Sequence, residues 1–176
     1  MTTPSHVDMR LTGRARVLGD DVNTDYIISS TRKRETIDPH VLKQFLLETV
    51  DPGFAASVQP NDILVAGRNF GCGSAMEVAV TVPYAAGIRA VVARSFSRTW
   101  FRNAINNGVI PVECDTSAIR EGDRLAIELG ETVVVRDETT GAMMSALPLP
   151  PHMLRILVAG GLVPFFREHR GFEAVR

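Results

Sequence analysis

The chain has 176 residues, of which 45% are hydrophobic and 22% are charged, and this predicts one globular domain that is long enough to bury a core. Lys and Arg number 19 against 20 Asp and Glu, a balance that offers no electrostatic basis for binding nucleic acid or an anionic membrane. The start lacks a signal-peptide pattern and no apolar run is long enough to span a bilayer, so a cytoplasmic location is expected.

The first third of the chain predicts one strand, two irregular segments and one helix. Residues 11–17 predict a strand, and residues 24–29 predict a short extended segment. Residues 29–36 are polar and rich in cations, which predicts a loop. Asp38-Pro39 opens a helix with one apolar face, and residues 51–53 end it.

The middle of the chain alternates strands with helices. Short apolar runs at residues 63–66, 90–93 and 109–112 predict buried strands. Helices are predicted over residues 75–86 and 97–105. This alternation favours parallel strands with helices on a face of the sheet.

The last part predicts an antiparallel addition to the sheet. Residues 124–129 and 132–136 flank Gly130-Glu131 and predict a hairpin. An amphipathic helix is predicted over residues 153–158. Residues 1–176 are therefore expected to form a single α/β domain with a mixed sheet, with flexible tails at 1–10 and 168–176.

Residues 71–77, Gly-Cys-Gly-Ser-Ala-Met-Glu, join a predicted strand to a predicted helix, where ligands bind in open α/β sheets. Small residues there leave backbone N–H groups free to face an anion. Ser74 is expected at the helix N-cap, and the local pattern Ser74-x-x-Glu77 alone favours a capping box without function. The segment is not a Walker A loop, a dinucleotide-binding glycine motif or a nucleophile elbow.

Other polar features are uninformative when each is taken alone. Residues 20–25, Asp-Asp-Val-Asn-Thr-Asp, are typical of an acidic turn and lack calcium-loop spacing. The cations of residues 32–34 predict a solvated surface unless the substrate is an anion. Cys72 and Cys114 are too few to hold an iron–sulfur cluster on this chain. The scattered histidines do not support a zinc site.

Together these segments resemble the small subunits of isopropylmalate dehydratase and homoaconitase, in the aconitase superfamily. Residues 19–28, Gly-Asp-Asp-Val-Asn-Thr-Asp-Tyr-Ile-Ile, resemble the family motif G-D-x-x-x-T-D-x-I. Residues 67–74, Gly-Arg-Asn-Phe-Gly-Cys-Gly-Ser, look like G-x-N-F-G-C-G-S. Further family segments follow in order, so the resemblance covers about residues 14–166.

The resemblance implies a swivelling β/β/α domain with a mixed, partly open sheet flanked by helices. It also implies a large partner subunit, in a heterodimer or heterotetramer, that carries a [4Fe–4S] cluster, while this chain binds no cofactor. The implied reaction removes water from a 2-hydroxy acid and adds it back. The leading substrate is 2-/3-isopropylmalate in leucine biosynthesis. Alternatives are homocitrate-, dimethylmalate- or citramalate-like acids, or a non-catalytic partner subunit.

The resemblance also assigns roles within the site. Ser74 matches the catalytic serine that takes the proton, and Asp25 matches the acidic residue near it. The backbone around Ser74 is expected to stabilise the ionised serine and to contact substrate. Arg34, with Arg32, is expected to bind a substrate carboxylate. The backbone positions expected to contribute are Gly71, Cys72, Gly73 and Ala75.

One departure from the family pattern bears on the substrate. Most members have Gly-Ser-Ser-Arg-Glu-His where residues 73–78 of this chain are Gly-Ser-Ala-Met-Glu-Val. The resemblance implies that the missing arginine binds a carboxylate, a contact that contributes about 1.5–3 kcal/mol. Met76 cannot make that contact. Either Arg32 or Arg34 compensates, or the substrate differs, or activity is lost.

Overall fold

The structure, a computed structural model, describes residues 9–169. Its centre is a seven-stranded mixed sheet with the order β4-β3-β2-β1-β5-β6-β7. The first strand pairs parallel with the second on one side and antiparallel with the fifth on the other. The strands are β1 Met9–Val17, β2 Ile63–Ala66, β3 Ala90–Ala93, β4 Ile110–Glu113, β5 Arg124–Leu129, β6 Val133–Asp137 and β7 Met143–Ala146.

Short helices occupy the long connection between β1 and β2, and longer ones form the parallel crossovers and the C-terminal part. Within the described residues, no helix combines the length and hydropathy needed to cross a bilayer. The helices are α1 Thr24–Ile27, α2 Ser30–Glu35, α3 Pro39–Leu42 with a 3₁₀ turn at Lys43–Phe45, α4 Phe54–Ser57, α5 Val78–Ala85, α6 Arg98–Asn106, α7 Pro151–Val158 and α8 Leu162–His169.

The parallel half of the sheet is buried on both faces, which explains why its strands are continuous apolar runs. All four residues of β2 and of β3 are buried. Alternate side chains enter two separate cores. Leu64 and Val91 pack into one with α5 and Trp100, whereas Ile63 and Val92 pack into the other with α7 and Phe165.

The antiparallel half curls until the two edges of the sheet approach each other. The chain leaves β7 with the Leu147 N–H donating to the carbonyl of Glu113 at 2.9 Å, and Glu113 is the last residue of β4. The sheet is therefore nearly closed. This leaves the carboxyl ends of the parallel strands as the edge at which loops from several strands meet.

The long connection after β1 differs from the sequence-based prediction. The predicted extended segment and the predicted cation-rich loop contain α1 and α2, because the side chains of Asn23 and Ser29 cap them by accepting from the Asp25 and Arg32 N–H groups. The predicted helix after Asp38 is broken into α3 and a 3₁₀ turn, and the chain reverses at Leu47, which has φ 57°.

Differences elsewhere in the chain are smaller. Strand β7, helix α4 and helix α8 were not predicted. Strand β7 and helix α4 have four residues each, and elements of that length carry little periodic signal. Met9 and Arg10 belong to β1, and Glu168 and His169 belong to α8. The rest of the predicted flexible tails, 1–8 and 170–176, lies outside the described residues.

A buried ion-pair network joins β1 to the start of β2. The Asp62 side chain is 1% exposed and accepts hydrogen bonds from Arg14 at 2.7 and 3.1 Å and from Arg16 at 3.4 Å. Desolvation by burial raises the pKa of this carboxyl, but hydrogen bonds from Arg14 and the Gln59 N–H outweigh it and hold the pKa below its ordinary value. Asp62 therefore stabilises the fold in its ionised form.

Asp62→Asn is expected to lower the free energy of unfolding by about 3 kcal/mol at neutral pH, because two arginines lose their buried partner. The Asp62 contribution is present above the unfolded-state pKa of about 3.9 and is lost as pH falls through the lower folded-state value. Urea unfolding should therefore show a smaller difference in the free energy of unfolding between wild type and Asp62→Asn at pH 3 than at pH 7. Glu121→Gln is the control, since the 58% exposed Glu121 carboxylate also pairs with Arg16; an equal effect there would contradict the prediction.

Candidate active site

The glycine-rich loop of residues 71–77 lies where β2 leads into α5, at the carboxyl edge of the parallel strands. Two isolated parallel bridges fix its start, Asn23 with Cys72 and Phe70 with Phe96. These bridges bring together the loops that follow β1, β2 and β3. Side chains that are far apart in sequence therefore surround residues 71–77.

Gly71 packs against a tryptophan and has both of its backbone polar groups occupied. Its φ is +76°, and a Cβ at this position would overlap the Trp100 side chain. Its carbonyl accepts from the Ser97 hydroxyl at 2.6 Å, and its N–H donates to Val22 O at 2.8 Å. The expectation that the Gly71 N–H contacts substrate is therefore wrong, because Val22 already occupies that donor.

Asn23 and Thr24 hold the next three residues of the loop. The Thr24 N–H donates to Cys72 O at 2.8 Å, and the Thr24 hydroxyl donates to Ser74 O at 2.9 Å. Gly73, with φ +94°, packs against the Asn23 side chain, which a Cβ would overlap. The carbonyls on both sides of Gly73 are thus bound on the inner side of the loop.

Because a trans peptide unit is planar, its carbonyl and the following N–H point in opposite directions. The fold binds the carbonyls of Gly71, Cys72 and Ser74, so the N–H groups of Cys72, Gly73 and Ala75 point away from those inner contacts. Within residues 9–169, none of these three N–H groups donates a short, well-aligned hydrogen bond to another residue. Converging unpaired N–H groups attract an anion.

Ser74 is exposed in this loop, and the predicted N-cap role is wrong. Helix α5 begins at Val78, and its N-cap, Glu77, makes no side-chain capping bond. Thr24 binds the Ser74 carbonyl, and the Met76 side chain enters the core, so residues 74–77 do not take up the helix. The Ser74 hydroxyl therefore does not cap a helix, and the non-functional explanation of this serine no longer applies.

Asp25 lies one residue from Thr24 on α1, and its carboxylate faces the start of α2. Its Oδ1 accepts from both the N–H and the hydroxyl of Ser30. No hydrogen bond joins Asp25 to Ser74 in the described part of the chain. The structure thus places Asp25 beside the loop through its neighbour Thr24 and orients its side chain through Ser30.

The two predicted carboxylate-binding arginines have different surroundings. Arg32 donates to both oxygens of Glu48 at 3.0 and 3.3 Å and lies over the Phe45 ring at 3.8 Å. The hydrogen bond to Glu48 raises the pKa of Arg32 above its ordinary value. Arg34 is exposed, and no described residue pairs with it. Of the two, Arg34 is the one that is free to meet a substrate.

Met76, at the position where the family motif predicts arginine, points into the protein. It is 3% exposed and packs in the core that contains α5 and Trp100. The loop therefore supplies backbone N–H groups but no side-chain cation. A carboxylate bound here must be neutralised by a residue from another segment.

Residues 19–117 match the family model for the aconitase C-terminal domain. This chain belongs to that family. It is 46% identical over 165 residues to the 3-isopropylmalate dehydratase small subunit 1 of Methanopyrus kandleri, covering 92% of this chain and 96% of the relative. It is 41% identical to the isopropylmalate/citramalate isomerase small subunit of Methanocaldococcus jannaschii, covering 89% and 93%.

A solved structure agrees with the sequence relatives. The 3-isopropylmalate dehydratase crystal structure from Methanocaldococcus jannaschii superposes with a TM-score of 0.82 and 38% identity, covering 92% of this chain and 96% of that one. The same organism has a methanogen homoaconitase small subunit that is 40% identical, covering 92% and 94%. The family and the α/β swivel-domain fold predicted from the motifs are confirmed.

Polar pairs line the edge beside the loop in this aconitase-family chain. Asp20 pairs with Arg68, and Arg94 pairs with Asp115. The Arg68 N–H donates to Asp20 and lowers the pKa of that carboxyl. The pairs border an open depression of about 370 Å³, which continues the carboxyl edge of β1–β3.

No set of three or more metal-binding side chains occurs among residues 9–169. Cys72 and Cys114 are both free thiols. Cys114 is buried, and desolvation raises the pKa of its thiol to about 11, so it stays protonated at neutral pH. Cys72 is partly exposed beside Gly73.

Sequence reasoning missed the residues that hold the loop, namely Asn23, Thr24 and Ser97. Asn23 and Thr24 lie inside the first quoted motif, but the motif alone does not show which polar side chain faces the loop. Their partners lie about 50 positions later in the chain. The only sequence signal for these residues was the polar run before Asp25. The parallel bridge between Asn23 and Cys72 shows that this run lies against the glycine-rich loop.

Proposed function

We propose that this chain is the small subunit of a two-subunit hydro-lyase that interconverts 2- and 3-isopropylmalate by dehydration and rehydration in leucine biosynthesis. The observation that carries the proposal is the exposed Ser74 set among the outward N–H groups of Cys72, Gly73 and Ala75. Relatives named as 3-isopropylmalate dehydratase small subunits share this chain's length and 46% or 42% of its aligned residues.

The loop suits abstraction of a weakly acidic proton. The proton lies beside a carboxylate, and its removal produces a multiply charged intermediate that needs preorganised positive partners. A serine hydroxyl in water is too weak an acid to serve as a base in its ionised form. In this proposal the N–H groups of Cys72, Gly73 and Ala75 stabilise the alkoxide of Ser74, which would lower the pKa of its hydroxyl. Ser74 then takes the proton, while Asp25 supports the loop from α1.

The partner is a large subunit, in a heterodimer or heterotetramer with this chain. Its [4Fe–4S] cluster would supply the Lewis acid for the leaving hydroxide. This chain contributes the base and the anion-binding backbone, and its described residues present no ligand set for the cluster. Cys72 in this assignment contacts substrate through its N–H rather than binding metal through its thiol.

Arg34 is the residue that offsets the absence of an arginine at position 76. It has no partner among the described residues, and Asp25, which accepts from Ser30, ties the start of its helix α2 to the loop. Arg32 supports the same helix through Glu48. The pair thus divides the predicted role, with Arg34 contacting the carboxylate and Arg32 holding α2 in place.

Arg34→Ala is expected to raise the KM of the assembled enzyme by about 10-fold or more, since a charged hydrogen bond contributes about 1.5–3 kcal/mol. The melting temperature of the chain should change little, because the Arg34 side chain is exposed and makes no ion pair with a described residue. Arg32→Ala is the matched control and should lower the melting temperature, since it removes the Glu48 and Phe45 contacts. The reverse pattern would assign the carboxylate contact to Arg32.

The departure at Met76 favours testing other acids as well. Relatives include subunits named for citramalate isomerisation and for homoaconitase activity. An acid whose side chain is smaller or longer than the isopropyl group would place its second carboxylate at a different distance from Arg34. Homocitrate-, dimethylmalate- and citramalate-like acids are therefore the alternative substrates, and a non-catalytic partner subunit is the alternative from another class.

Anaerobic co-expression with the candidate large subunit, followed by a panel of these acids, tests the proposal. We expect co-purification and the highest kcat/KM on isopropylmalate. A preference for an acid without the isopropyl group would replace the substrate and keep the reaction. Turnover by this chain alone, or equal turnover with and without it, would contradict the two-subunit assignment.

A further inference from the structure

We propose that Thr24 is a positioning residue for the reaction, because it sets the directions of the N–H groups around Ser74. This inference deepens the proposed function and rests on it for the role of Ser74. Thr24 is 2% exposed, so its hydroxyl is withdrawn from solvent and from substrate. It acts only through the loop that it holds.

Thr24 binds the loop on both sides of Gly73. Its N–H donates to Cys72 O at 2.8 Å, and its hydroxyl donates to Ser74 O at 2.9 Å. Each bond turns one peptide plane, so the Gly73 and Ala75 N–H groups point to the opposite side. One residue therefore orients two of the three N–H groups in the loop around Ser74.

Only the second of these bonds depends on the side chain. Substitution of Thr24 leaves the bond from its N–H to Cys72 in place, whereas the bond to Ser74 O needs the hydroxyl. Gly73, with φ of +94°, has no Cβ to restrict the backbone that precedes Ser74. Without the hydroxyl, the plane between Ser74 and Ala75 is released, and the alkoxide loses a fixed donor.

The test compares Thr24→Val with Thr24→Ser in the complex with the large subunit. Valine keeps the shape and removes the hydroxyl, and serine retains it. We expect Thr24→Val to lower kcat about 30-fold with KM changed less than about threefold, within the range of a base contribution. The ascending limb of the pH–kcat profile should move to higher pH, since a less stabilised alkoxide has a higher pKa. Thr24→Ser should stay close to wild type.

Thr116→Val is the matched control for stability. Thr116 is 8% exposed, and its hydroxyl donates to the carbonyl of Ala66 at 2.8 Å, so this variant removes the same kind of buried bond outside the loop. It should lower the melting temperature comparably but leave the pH profile in place. If Thr116→Val shifted the profile equally, or if Thr24→Val left it unchanged, the positioning role would be overturned.

A second measurement needs no substrate. Backbone order parameters of Gly73, Ser74 and Ala75 in the isolated chain should fall from about 0.85 to below about 0.6 in Thr24→Val and not in Thr116→Val. Unchanged order parameters would overturn the inference even if the wild-type complex converted none of the acids. Conversely, an inactive wild-type complex with the expected loss of order would refute the proposed function and leave the loop-positioning role standing.

Discussion

Ser74→Ala is expected to reduce kcat of the assembled enzyme about a thousandfold, because the substitution removes the base that takes the proton. The substrate still meets the N–H groups of Cys72, Gly73 and Ala75, so KM should change little. The Ser74 hydroxyl is exposed and outside any capping bond. Its removal should shift the melting temperature by no more than about 2 °C.

The matched control is Ser145→Ala, which removes an exposed hydroxyl from β7, a strand that does not pair with the strand leading into the loop. It should leave kcat, KM and complex formation at wild-type values. Single-turnover measurements with both variants separate loss of chemistry from loss of assembly. If Ser74→Ala retained turnover while it bound the large subunit normally, Ser74 would not be the base.

Gly71→Ala is expected to lower the free energy of unfolding by about 2–5 kcal/mol, combining about 1–2 kcal/mol for the left-handed backbone with about 1–3 kcal/mol for overpacking. The new Cβ would overlap Trp100, which is 2% exposed and stacked on Phe96. Since Trp100 cannot move without disturbing that stack, the loop must shift instead. Activity should fall with stability because Ser74 moves with the loop.

Gly122→Ala separates backbone strain from steric overlap. Its φ of +87° is similar to that of Gly71, but a Cβ there meets nothing within 4 Å. Gly122→Ala should lower the free energy of unfolding, measured in urea, by about 1–2 kcal/mol. Turnover should not change. Equal costs at the two positions would show that Trp100 adjusts, and the rigid packing beneath the loop would have to be reconsidered.

Local pattern was sufficient for β1 to β6 of the central sheet and for the family, but not for β7. The apolar runs predicted β2 and β3 at their observed bounds, and β4 was displaced by one residue. Burial on both faces makes such strands continuous in sequence, so neighbours along the chain carry the signal. The predicted hairpin corresponds to β5 and β6. The glycine-rich motif identified the family because its residues lie together in the chain.

Only the tertiary structure showed which groups each site residue contacts. Sequence could not show that the Gly71 N–H is bound to Val22, that Thr24 holds Ser74, or that Met76 is buried. These contacts join segments about 50 positions apart in the chain, and such pairing follows from the parallel bridge between Asn23 and Cys72. A local sequence pattern contains only one of the two residues in each contact. The direction of a peptide plane is therefore fixed only in the folded chain, where its partner residue lies next to it.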